Sequence, residues 1–124
     1  MPNDLASLCK NDGLILSGNK IAVRFGSGRG HVVFVDETPD HYLLRAVAAR
    51  RAVLETLERP EIWAWRRNRT SILVGFRVDD RGRLLAESWV PKAGLSRDEF
   101  QTYVWTLAAE ADRVEYLLSG RDVD

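Results

Sequence analysis

The tract SILVGFRVDDRGRLLAESWVP, residues 71–91, constrains the fold more than any other part of the chain. Ile72, Val74, Phe76 and Val78 alternate with Leu73, Gly75 and Arg77, the two-residue period of a strand with one buried face. DDRG is a tight turn in which Gly82 supplies positive φ. RLLAESWV, residues 83–90, is the returning strand, so the tract predicts an antiparallel hairpin. If Leu84, Ala86, Ser88 and Val90 face inward, Trp89 faces outward with Leu85 and Glu87. Pro91 and Gly94 stop the strand, and Ser96 and Glu99 have the spacing of a capping box. The helix that follows, to Gly120, carries Phe100, Tyr103, Val104, Leu107, Ala111, Val114 and Leu118 as one apolar stripe.

The first half is built from similar pieces. Residues 2–12 form a short helix, with Pro2 in its first turn and Gly13 at its end. NKIAVRF alternates as a half-buried strand, HVVFV is a second strand, DETPD is a turn, and HYLLRAVAA is a third strand. Residues 50–60 leave helix and extended strand open. PEIWAWRRN then reads as a short helix with Pro60 in its first turn. The order is α-β-β-β-α-β-β-α, an α+β fold of one domain, residues 1–124, with helices covering an antiparallel sheet.

Eighteen basic and eighteen acidic side chains balance, which argues against a dedicated nucleic-acid binder. Residues 41–70 nevertheless hold seven arginines against three glutamates, net +4, and residues 96–124 hold seven acids against three arginines, net −4. Opposite charge draws these segments together within one chain or between two. Cys9 is the only cysteine, so no internal disulfide forms and a cysteine-based zinc site within one chain is excluded. The N-terminus lacks the pattern of a signal peptide, and no apolar run approaches a membrane span of about 20 residues. The expectation is a cytoplasmic protein that does not enter membranes.

RFGSGRGHVVFV, residues 24–35, raises the question of nucleotide binding. A dinucleotide-binding loop leads from strand to helix, whereas this one lies between two strand-like segments. It lacks the Gly-Lys-Ser/Thr ending of a P-loop, and the partner residues of a kinase glycine loop need a much longer chain. It reads as a hairpin turn at residues 26–30, whose tip is free to meet a partner. His31 and His41 are the only histidines, and neither has a His or carboxylate at metal-ligand spacing in the sequence. No nucleophile elbow marks a serine, and Asp79 and Asp80 belong to a turn. No catalytic set, cofactor site or metal site emerges.

WAWRRNR, residues 63–69, mixes aromatics with cations as single-strand binders do. Arg59, Arg66, Arg67 and Arg69 are the candidate basic patch for a nucleic-acid-associated alternative. On the last helix, Trp105 and Tyr116 project at about 140° and 160° from Phe100, away from the apolar stripe. An outward Trp beside a Tyr points to a surface covered by a partner or a second subunit.

Residues 62–122 resemble the YbjN-like domains of bacteria, within the group of the type III secretion chaperone-like fold. The features that carry the resemblance are Asn68 before a strand, the GFRVDDRGRLLAESWVP hairpin and a helix with AEADRVEYLLSG. The chain looks most similar to actinobacterial versions proposed to be peptide-binding chaperones. The resemblance implies a curved antiparallel sheet with helices on one side, a homodimer and no enzymatic activity. It supplies no binding residues. The resulting expectation is a non-enzymatic module, chaperone or adaptor, for another protein or a peptide segment. Trp63, Trp65, Trp89, Trp105 and Tyr116 are its candidate partner or dimer contacts. Addition to a sheet edge and docking in a groove both stay open.

Overall fold

The computed structural model describes residues 4–119. Ten elements follow one another: α1 Leu5–Leu8, β1 Leu14–Ser17, β2 Lys20–Arg24, β3 Gly30–Glu37, β4 His41–Ala49, α2 Arg51–Leu54, α3 Pro60–Asn68, β5 Gly75–Val78, β6 Leu84–Pro91 and α4 Arg97–Ser119. The six strands form one antiparallel sheet in the order β1-β2-β3-β4-β6-β5. The chain leaves the centre of the sheet at β4, passes through α2 and α3, lays β5 at the edge and returns beside β4 as β6.

The hairpin of β5 and β6 and the capping box of α4 form as the sequence predicts. The Asp79 carboxylate accepts bonds from the Arg81 and Arg83 amides across the turn, at 3.0 and 2.8 Å, and Gly82 takes φ 78°. The Ser96 amide donates to Glu99 Oε1 at 2.9 Å, and the Glu99 amide to Ser96 Oγ at 3.1 Å. These bonds satisfy amides that an uncapped helix would leave open.

α4 lies across the inner face of the sheet. Phe100, Val104, Leu107, Ala111 and Val114 are sealed against a sheet surface that includes Ile21, Val33, Leu44, Leu84 and Val90. Tyr103 and Leu118 of the expected stripe are only partly buried. Gln101, outside it, is buried because it ties down the end of α1. Its Nε2 donates to the carbonyls of Leu8 and Lys10 at 2.9 and 3.1 Å, and its Oε1 accepts from Asn11 Nδ2 at 3.2 Å.

Two local features differ from the sequence reading, at residues 5–17 and 71–74, and residues 50–60 resolve what it leaves open. α1 spans Leu5–Leu8 rather than reaching residue 12, and LILS forms an additional strand, closed onto β2 by Gly18 at φ 62°. Residues 50–60 hold one helical turn, α2, followed by a loop into α3. Residues 71–74 do not extend β5. Leu73 sits in the left-handed region at φ 68°, and the Ser88 hydroxyl donates to its carbonyl at 2.5 Å. That kink turns Ile72 out to 78% exposure instead of placing it with Val74 and Phe76 in the core.

Candidate partner-binding surface

The alternation that buries one side of every strand leaves the other side of the sheet without a helix over it. Ile15 stands beside Ala22, Ala22 beside Val32, and Val47 beside Leu85. Ile15 is 53% exposed and Val32 is 40% exposed. Ala22, Val32, Phe34 and Val47 help to line one open depression of about 500 Å³. A second, of about 240 Å³, is lined by Phe34, Val47 and Leu85 together with Asp36, Arg45 and Arg83. Ion pairs interrupt the apolar surface: Arg45 holds Asp36, and Arg77 Nε meets Glu87 at 2.9 Å.

Trp89 lies on this face as its strand position predicts. It is 62% exposed and packs on the His41 ring at a centroid distance of 4.2 Å, with Leu43 opposite it in the register. The other candidate aromatics do not join it in one surface. Trp63 is partly buried against the core, whereas Trp65, two residues on, is exposed on α3 under the Arg69 guanidinium at 5.3 Å.

Trp105 and Tyr116 do share a side of α4, and the chain's own glycine hairpin reaches across it. Phe25 packs on Trp105 with centroids 6.3 Å apart. The Trp105 ring also covers Gly13, where an added Cβ would come within 2.6 Å of it. Arg29 lies over the Tyr116 ring at 5.4 Å and pairs with Asp112 at 2.8 Å. The turn at residues 26–30 thus grips α4. Gly28 supplies φ 89°, and Gly30 has only 2.8 Å between an ideal Cβ and the Val23 carbonyl oxygen.

Of the basic patch, Arg59 and Arg66 are exposed. Arg67 Nη2 reaches Glu110 at 3.2 Å, an attraction between the basic and acidic segments realised within one chain, and Arg69 is stacked on Trp65. The fold also assembles a group that the sequence spacing does not display: His31 from β3 beside Asp112 and Glu115 of α4. The only local signal is the i, i+3 spacing of the two acids, which puts them on one helix face.

The two edges of the sheet differ. On β5, the Asn68 side chain occupies both backbone groups of Phe76. On β1, the Ser17–Lys20 closure and the Gly13–Arg24 bond set the ladder, so Leu16 directs its N–H and C=O away from β2. β1 is therefore an edge with backbone groups directed outward for another strand.

No protein-family model matches the chain, and a search of curated proteins finds no relative. A solved structure does match. It is a chain of the heterodimeric complex ExoU-SpcU from the type III secretion system of Pseudomonas aeruginosa. The TM-score is 0.65 over 95% of this chain and 100% of that one, at 15% sequence identity. The likeness is one of fold: an α+β, type III secretion chaperone-like arrangement of antiparallel sheet and helices.

Proposed function

We propose that the chain is a non-enzymatic binding module that holds an extended segment of another protein against the open face of its sheet. It acts as a chaperone or adaptor of the YbjN-like, actinobacterial peptide-binding type, in the bacterial cytoplasm, with β1 as the edge for a homodimer or an added strand. The observation that carries the reading is the uncovered apolar surface of Ile15, Val32, Phe34, Val47 and Trp89. Exposed apolar surface beside charge is a common mark of a protein contact, and here the Arg45–Asp36 and Arg77–Glu87 pairs lie between the Ile15, Val32 and Val47 area and Trp89 with Leu43. The similar chain in ExoU-SpcU belongs to a complex of two proteins, which supports a protein partner. Trp89 is the central contact in this reading. Trp65 and Tyr116 lie outside it, and Trp63 and Trp105 serve chiefly to pack the fold.

The test compares proteins captured from a native bacterial lysate by wild type, Val32→Glu and Trp89→Ala, with circular dichroism of each bait. The reading expects both variants to stay folded and to lose the same captured protein. Folded variants that capture the wild-type set would contradict it.

A further inference from the structure

We propose that His31, Asp112 and Glu115 form a three-ligand site for a first-row divalent cation of the zinc class. His31 Nε2 lies 2.9 Å from the Val47 carbonyl oxygen. A carbonyl only accepts, so Nε2 carries a proton, and in the neutral ring Nδ1 presents its lone pair. Nδ1 faces Asp112 Oδ1 at 3.5 Å and Glu115 Oε1 at 4.0 Å. The His31 side chain is only 9% exposed, so this nitrogen has little water to turn to. In the neutral ring three electron-pair donors thus face one region, which a cation can bridge.

The dimensions suit such an ion. A tetrahedral zinc with bonds of about 2.0–2.2 Å keeps its ligands roughly 3.4 Å apart. His31 and Asp112 already stand at 3.5 Å, and all three ligand atoms lie within 4.8 Å of one another. Glu115, with a half-exposed side chain, closes the remainder by rotation. The Nε2–H bond to a backbone carbonyl is the support that commonly orients a ligating histidine. Arg29 binds the other oxygen of Asp112, Oδ2, and leaves Oδ1 for the ion.

His31 and Glu115 line the 500 Å³ depression on the sheet, which gives a path from solvent. Arg24 and Arg50 line it too, and their charge opposes a loosely held hydrated ion such as Mg²⁺. A cation stays here through direct bonds, which imidazole gives to zinc-class ions. Cys9 does not compete. It is buried, and burial pushes its thiol up to about 11. The ion would tie β3 to α4 alongside the Arg29–Asp112 pair.

The experiment titrates the ¹⁵N-labelled full chain with Zn²⁺ and follows the imidazole nitrogens by NMR, beside calorimetry. With two histidines in the chain, each reports separately. The proposal expects one zinc per chain, a large shift at His31 Nδ1, little change at His41 and no response to Mg²⁺ at the same concentration. Glu115→Gln, a benign change at an exposed side chain, should weaken binding at least tenfold, and His41→Ala should leave it intact. A His31 signal unmoved by excess zinc would overturn the proposal, as would wild-type affinity in Glu115→Gln or half an equivalent of zinc bridging two chains.

Discussion

Asn68 pairs with Phe76 as a neighbouring strand would. Its Oδ1 accepts from the Phe76 amide at 2.6 Å, and its Nδ2 donates to the Phe76 carbonyl at 3.0 Å. One side-chain amide thereby satisfies both backbone groups that Phe76 would otherwise present at the sheet edge. An exposed edge is a template for association, so this residue is a guard as well as a fold contact. Replacing Asn68 with Ala removes two hydrogen bonds worth about 0.5–1.5 kcal/mol each, for a loss of about 1–3 kcal/mol in denaturant unfolding. The variant should also associate as its concentration rises, which light scattering would show. Wild-type stability with a constant mass would contradict this role.

The glycine hairpin makes a sharper pair of predictions. Gly30→Ala places a methyl against the Val23 carbonyl oxygen, 2.8 Å away on the neighbouring strand, where the backbone has little room to yield. It should cost about 1–3 kcal/mol. Gly26→Ala, with nothing within 4 Å, should stay within about 0.5 kcal/mol of wild type. Thermal or urea unfolding of the two variants separates the cases, and equal effects would refute the close-approach argument.

The turn between β5 and β6 predicts an acid response. Burial pushes the Asp79 carboxyl up, but the Arg83 amide and guanidinium and the Arg81 amide outweigh it and hold the group below 3.8. A carboxyl whose pKa falls on folding adds stability above its unfolded value, and that stability is lost as pH falls through the folded value. Wild type should therefore lose this contribution below about pH 4, and Asp79→Asn should show a flatter dependence there. Urea midpoints measured on both chains between about pH 5 and about pH 2.5 check the sign. Parallel curves would remove Asp79 from the account.

The features legible in the sequence were those fixed locally. The Asp79–Gly82 turn, the Ser96–Glu99 cap and the outward position of Trp89 depend on residues a few places apart, and each appears as expected. Strand β1 escaped because four residues give too short an alternation to distinguish it from the end of a helix. The outward Ile72 escaped because the kink at Leu73 depends on Ser88, fifteen residues on. Trp105 reads as a partner contact on a helical wheel, but the hairpin that packs on it comes from residues far away in the chain. The group of His31, Asp112 and Glu115 was hidden for the same reason: one strand, two short helices and the β5–β6 hairpin separate its members.

The central claim is that another polypeptide lies on the open face of the sheet. Its most direct measurement is photo-crosslinking in a native lysate, with a benzophenone-bearing amino acid placed singly at Val32, Trp89 or Glu58, an exposed loop position between α2 and α3. The account predicts a discrete adduct to the same protein from positions 32 and 89 and none from 58. Adducts formed equally from all three positions, or from 58 alone, would contradict it.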